Sequence, residues 1–332
     1  MLYKIIRIGT RKSPLAIWQA KLVQKALKKQ GFSTELVGLS TEGDTDLVTP
    51  LYEMGVQGVF TKAADIALLN DQIDIAVHSL KDVPTRLAIG IVQAAVLKRA
   101  AHSDILVYKN DLHFLDTPPQ YKATIGTGSI RRKAQWLHRF PHHQIENLRG
   151  NVNTRLQKLN ENEHWNGAVF AAAGLERIGL RPEKSIELDW LLPAPAQGAI
   201  AVVCRENDEW LMEACAPLND SLTALCTHIE RDFLRHLMGG CSTPIAAFAT
   251  VSNNDILLKG NICSLNGVEK IDIQMRLPMG EAHNLGQIAA ENILLKGGDK
   301  LIAAMNTDLN ADLRNLKDFV NLTPSVKNHK KS

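Results

Sequence analysis

Apolar residues recur along this chain with two periods, and the alternation between them sets the expected elements. Lys4–Ile8 has the β-branched run of a strand, and Ser13-Pro14 then opens a helix with serine as N-cap and proline in its first turn. Leu15, Trp18, Leu22, Val23, Ala26 and Leu27 keep helical spacing up to a stop near Gly31. The same reading predicts a strand at Glu35–Leu39, a helix at Phe60–Leu69 and a short buried strand at Asp74–His78. Farther on, strands are expected at Thr124–Ile125, Ile145–Leu148 and Ala168–Ala172. Helices are expected at Ile130–Arg139 and Thr154–Leu159, with another after Ala172 at Leu175. Short strands alternating with helices indicate an α/β fold built on largely parallel sheets.

From about Leu218 the pattern changes. A helix marked by Leu222, Leu225, Ile229, Phe233 and Leu237 leads to Gly239-Gly240-Cys241. Strand-like alternation follows at Phe248–Val251, Ile256–Cys263 and Lys270–Arg276, then a helix at Leu285–Leu295, which together make an α+β module. The last residues, Thr323–Ser332, are polar and basic and read as a flexible tail.

Composition narrows the class. The 332 residues are 45% hydrophobic and 22% charged, ordinary for globular domains and enough for two or three of them. No apolar stretch approaches the roughly 20 residues that span a bilayer, so no membrane partner is expected. The 38 Lys and Arg are nearly matched by 35 acids, and aromatics are only 5%, which speaks against nucleic acid as a partner. Met1–Thr34 holds eight basic residues and no acidic one, as targeting peptides do. Its strand-then-helix pattern instead marks the first folded unit. Five cysteines, Cys204, Cys215, Cys226, Cys241 and Cys263, are odd in number and form no CxxC pair. Neither a disulfide framework nor a metal site is expected, and a reducing cytoplasm is.

Four turns at strand ends share one chemistry: small residues with cations. They are Arg11-Lys12-Ser13, Ser79-Leu80-Lys81-Asp82, Gly126-Thr127-Gly128-Ser129-Ile130-Arg131-Arg132, and Arg149-Gly150-Asn151 followed by Arg155. Beyond the carboxyl ends of parallel strands, helix N-termini present free N–H groups to anions, and arginine adds bidentate recognition of carboxylates. One such arginine alone would be a solvated surface charge, and Ser13 alone an N-cap. Their recurrence at one topological place indicates a cleft for a polyanion. Asp82 stands apart as a carboxylate among these cations. An ionised carboxylate there can steady a developing cation or move a proton, or simply pair with Lys81. Cys241, after two glycines at a helix end, would lie on an exposed turn, although a lone cysteine is more often a buried apolar residue.

Taken in order, these segments resemble the porphobilinogen deaminases over nearly the whole chain. The matching segments are Arg7 to Ala16, Ala76 to Pro84, Gly126 to Arg132, Leu148 to Arg155, Ala173-Gly174-Leu175, Pro193 to Gly198, and Glu230-Arg231 leading to Gly239 to Ile245. The resemblance implies two periplasmic-binding-protein-like α/β domains, 1–97 with 198–216 and 98–197, plus a smaller α+β C-terminal domain, 217–322, before the tail 323–332. It implies a monomeric cytoplasmic transferase of haem biosynthesis. Such an enzyme joins four porphobilinogens, with loss of ammonia, into hydroxymethylbilane. The cofactor would be a dipyrromethane held as a thioether on Cys241. Its carboxylates would lie against Ser13, Lys81, Thr127, Ser129, Arg131, Arg132 and Gly150. Porphobilinogen and the growing pyrrole chain would meet Arg11, Ser79, Arg149, Arg155 and Arg177. Asp82 would be the catalytic residue, at the pyrrole nitrogens.

The chain departs from the family pattern in places. Gln57 stands where a lysine is usual, Ala63-Ala64-Asp65 replaces a more acidic segment, Gly128 replaces a serine and Asn166 an aspartate. The loss of a cation at Gln57 predicts weaker substrate affinity and raises a rival reading, a degenerate member that binds such polycarboxylates without efficient turnover. A two-lobed carboxylate-binding protein is a further alternative, but it gives Cys241 and the C-terminal module no purpose.

Overall fold

The computed structural model describes residues 5–41, 58, 60–116, 121–237 and 243–307. Three sheets organise them. In the first, β1 (Ile6–Arg11) runs parallel to β2 (Thr34–Leu39) on one side and β3 (Ile75–Ser79) on the other. Strand β10 (Ile200–Arg205), from much later in the chain, inserts antiparallel between β3 and β4 (Ile91–Val96). The second sheet repeats the plan. There β6 (Thr124–Gly126) lies parallel to β7 (Gln144–Glu146) and β8 (Gly167–Ala171), and β5 (Asp104–Tyr108) joins β8 to β9 (Ser185–Glu187) in antiparallel sense. The third is an antiparallel meander of β11 (Ile245–Ser252), β12 (Asp255–Cys263) and β13 (Lys270–Pro278). The fold is thus mixed α/β in two lobes with a smaller C-terminal sheet module.

Local sequence explains the elements that frame the lobes. Helix α1 (Pro14–Lys29) begins at Ser13, whose hydroxyl accepts from the Ala16 amide, and buries Ala20, Val23 and Leu27 on one stripe. It stops where Gly31 takes φ +92°, a left-handed conformation open to glycine at no steric cost. In the second lobe both sheet faces are covered. Ile105, Val107, Ala168 and Phe170 enter one core, while Leu106, Val169, Ile125 and Trp136 enter another. Alternate residues of one strand point to opposite faces, so a strand buried on both reads as a continuous apolar run.

Further helices follow in chain order: α2 (Lys62–Leu69), α3 (His113–Asp116), α4 (Ile130–Arg139), α5 (Val152–Glu161), α6 (Ala172–Glu176) and α7 (Glu209–Cys215). In the C-terminal module α8 (Ser221–His236) and α9 (Leu285–Ile293) cover the meander, with Ile229, Phe233, Leu258, Ile262 and Leu285 fully buried between them.

Two features tie the module to the lobes. Glu230 of α8 is wholly buried and takes a bidentate pair from Arg99 at 2.8 and 2.7 Å, together with the amides of Ala196 and Ala249. It thereby pins both chain segments that cross between the lobes to the module's first strand. On the other side, the 264–269 turn rests on α4, where the His138 ring nitrogen Nδ1 lies 2.8 Å from the Gly267 carbonyl.

Candidate active site

The parallel strands place their carboxyl ends, and the four cationic turns, at corresponding edges of the two sheets. Arg11 closes β1, with its guanidinium 4.2 Å from the Phe60 ring centre. Ser79 closes β3 and meets the Gln19 amide at 2.8 Å. A single 3₁₀ turn, Leu80–Asp82, follows and carries Lys81 and Asp82. In the second lobe, Ser129 caps α4 and accepts from the Arg132 amide, while Thr127, itself buried, accepts from the Ser129 amide at 3.2 Å. Gly150 adopts φ +117°, which a side chain would strain. Asn151 then caps α5, the helix bearing Arg155.

At the centre lies Asp104, the first residue of β5 and fully buried. Its carboxylate pairs with Arg131 at 2.7 Å and with Arg132 through Nη2 at 2.7 Å and Nε at 3.1 Å. Burial opposes its charge, yet Arg131 and Arg132 hold the Asp104 carboxyl well below the usual carboxylate range. Both guanidiniums also donate to main-chain carbonyls, Arg131 to Leu192 and Arg132 to Val169. Gln197 completes the group. Its amide donates to Asp104 at 2.9 Å, and its oxygen lies 3.2 Å from the Lys81 ammonium.

The balance of charge is lopsided. Burial lowers the Lys81 pKa to about 8, with Arg132 and Arg131 adding to the effect and Asp82 and Asp104 opposing it. Arg155 is brought down to about 10, first by burial and then by Arg132, Arg149 and Arg11, against the pull of Asp82. Its Nε is buried without a hydrogen-bond partner among the described residues, and its guanidinium lies 5.7 Å from the Phe170 ring centre. His78, just before Ser79, is pushed down to about 4 by burial and by Arg11, so it adds no charge at neutral pH. Among the described residues, these interactions link Lys81, Arg11, Arg131, Arg132, Arg149 and Arg155 with the carboxylates of Asp82 and Asp104. Such a concentration of cations suits a ligand that brings several carboxylates of its own.

Most expected site residues therefore fall in one place. Ser13 and Ser79 sit at the edge of the group, already engaged by a backbone amide and by Gln19. Arg177 lies outside this linked group. It donates to the Gly198 carbonyl at 2.7 Å, stacks 5.7 Å from the Trp18 ring centre, and has its pKa lowered to about 10 by burial. Cys241, with Gly239 and Gly240, and Gln57 lie outside the described residues. Asp104 and Gln197 were not among the residues singled out by sequence. The only signal was a lone acid opening an apolar run and a glutamine in the Pro193 to Gly198 segment. Of the altered positions, Asn166 accepts from the Thr124 amide at 2.9 Å.

Comparison with known proteins agrees with this geometry. The family described as porphobilinogen deaminase, dipyromethane cofactor binding domain, matches residues 6–213, and its C-terminal domain matches residues 224–295. A porphobilinogen deaminase of Syntrophotalea carbinolica is 42% identical over 305 residues, covering 91% of this chain and 96% of that protein. Another from Legionella pneumophila (strain Lens) is 40% identical over 307 residues, covering 91% and 98%.

Proposed function

Since the chain belongs to the porphobilinogen deaminase family, we propose that the cationic cluster around Asp82 joins porphobilinogens into hydroxymethylbilane, with Asp82 as the catalytic carboxylate and Cys241 as the cofactor's anchor. The reaction is a transfer that condenses four substrate molecules, releases ammonia and serves haem biosynthesis.

The residues fit a bound dipyrromethane. Every pyrrole of such a group carries an acetate and a propionate, and the cluster brings several cations together to meet them. The buried, unpartnered Nε of Arg155 is a donor awaiting an acceptor. Ser13, Lys81, Thr127, Ser129, Arg131, Arg132 and the Gly150 turn would hold the cofactor. Arg11, Ser79, Arg149, Arg155 and Arg177 would hold the substrate. When bound, the cofactor supplies the nucleophilic pyrrole carbon from which the chain grows.

Assignment of the anchor is supported by the other four cysteines. Cys204, Cys215, Cys226 and Cys263 are buried free thiols, and burial raises their pKa values to about 11 or 12, so little reactive thiolate is present. Free thiols also support the cytoplasm as the compartment. Among the described residues no helix is long and apolar enough to cross a membrane.

Each side chain then has a task. The arginines and Lys81 hold the carboxylates and fix each pyrrole against its neighbour, which turns a bimolecular condensation into a positioned one. Asp82 offsets the positive charge left on the substrate as its aminomethyl carbon loses ammonia. It offsets it again on the attacking pyrrole before the displaced proton departs. Asp104 keeps Arg131 and Arg132 in place when no ligand is bound. In a binder without turnover, Asp82 would serve only as an ion partner of Lys81.

The observation that carries the reading is the placement of one carboxylate, Asp82, within the electrostatic reach of Lys81 and Arg155 from opposite lobes. Asp82→Asn keeps shape and removes charge. It is expected to fold, to hold cofactor, and to lose kcat on the order of 10²- to 10³-fold, the scale of removing one electrostatic group from an active site. An Asn variant retaining most of its turnover would reduce Asp82 to a structural ion partner.

A further inference from the structure

The turn that carries Lys81 and Asp82 belongs to the first lobe, yet its backbone is held from the C-terminal module. Arg231 of α8 donates through Nη1 to the carbonyls of Leu80 at 3.2 Å and Val83 at 2.8 Å, and through Nη2 to that of Pro84 at 2.6 Å. One guanidinium thus spans three carbonyls that flank Lys81 and Asp82 on both sides. The turn's other main-chain bonds are Val83 N–H to Leu80 at 3.2 Å and Leu80 N–H to Ala199 at 3.0 Å, while Leu80 and Val83 bury their side chains and Lys81 meets Gln197. The residue before Arg231 is Glu230, whose pair with Arg99 and bonds to Ala196 and Ala249 fix α8 against the segments linking the lobes. The helix is therefore a fixed post, and Arg231 is its arm on the turn.

We infer that Arg231 is a positioning residue: it sets the place of Asp82, so that turnover depends on how the C-terminal module is seated on the first lobe. This rests on the reading of Asp82 given above. A planar guanidinium suits the task, because it offers several donors in one rigid fork, whereas an ammonium offers a single point of attachment. Those three bonds are to main-chain carbonyls, so replacing Arg231 acts on the backbone that carries the catalytic carboxylate.

The test compares Arg231→Gln, Arg231→Lys and a control, His138→Ala, which loosens the module's other seat at Gly267. All are checked for bound cofactor by intact mass before assay. In Arg231→Gln, kcat is expected to fall on the order of 10- to 100-fold, the effect of about 1 Å of misplacement, with KM changed by no more than about threefold. Arg231→Lys should recover part of the lost kcat. His138→Ala should lower Tm while keeping kcat within about twofold of the parent. A parental kcat in Arg231→Gln overturns the inference, and so does an equal loss in His138→Ala, which would reflect general docking. Should the Gln variant not fold, Arg231→Lys decides alone: reduced kcat at unchanged KM supports the role, and parental kcat refutes it. Asp82→Asn assayed alongside separates the two claims. If it remains active the reading of Asp82 fails, whereas a dead Asp82→Asn beside a fully active Arg231→Gln overturns only the part given to Arg231.

Discussion

Lys81 gives up its proton near pH 8 in the folded protein, because burial and two neighbouring arginines disfavour its charge. In an unfolded chain a lysine does so near roughly 10.4. Between those values the unfolded chain holds more protons, so this residue makes stability rise with pH across that window, while below it the cost of the buried charge is constant. The slope between pH 8 and 10 in a series of urea midpoints should flatten in Lys81→Met, and an unchanged slope would contradict the assignment. Function runs the other way. As Lys81 becomes neutral it stops holding a carboxylate, so kcat/KM should fall above about pH 8, and Lys81→Arg, which stays charged, should move that limb upward. Gly128 is a second residue-scale case. A Cβ built there would lie 2.7 Å from the Leu148 carbonyl, so the 126–129 turn approaches the 148–150 turn more closely than a side chain allows. Restoring the family's usual serine by Gly128→Ser should destabilise the protein by about 1–3 kcal/mol in a urea titration. A neutral or stabilising outcome would mean the two turns separate easily. Residue types alone made the cationic turns legible. They could not reveal Asp104 and Gln197, whose importance lies in what they touch across the fold.

Among elements, those with strong local signals were legible. The N-cap and proline of α1 and the helical stripe of α8 are where the pattern places them, and α4 spans the expected Ile130–Arg139. The apolar pattern assigned no strand to Ile91–Val96, Asp104–Tyr108 or Ile200–Arg205. Strands β5 and β10 are covered on both faces and lack the alternation that identifies a half-exposed strand, and β10 owes its place to pairing with β3, which is far away in sequence. Nor could spacing disclose that α8 is a junction. Glu230 is fully buried and Arg99 nearly so, with 12% of its side chain exposed. Breaking a buried pair from one side leaves an uncompensated charge, so Glu230→Gln should cost about 3–5 kcal/mol, read as a lowered urea midpoint. A loss below about 0.5 kcal/mol, the size of an ordinary surface substitution, would show that the junction does not depend on this carboxylate.

On the scale of the whole molecule, two lobes of like sheet plan face each other across a basic cluster, and a third module reaches both, through Arg231 on one side and Gly267 on the other. The C-terminal module was legible because the alternation of strand and helix changes near Leu218, whereas the two lobes were implied only by the family resemblance. The contacts between units were not, since those of Arg99 with Glu230, His138 with Gly267 and Arg231 with Val83 join residues more than a hundred positions apart. The proposed function gives this architecture its purpose through a covalent cofactor on Cys241. The most direct test is the intact mass of the purified, undenatured-loaded protein, followed by peptide mapping. The account predicts an added mass equal to two linked pyrrole units, located on Cys241 and lost in Cys241→Ser. No such addition, or one mapped to Cys204, Cys215, Cys226 or Cys263, would contradict it.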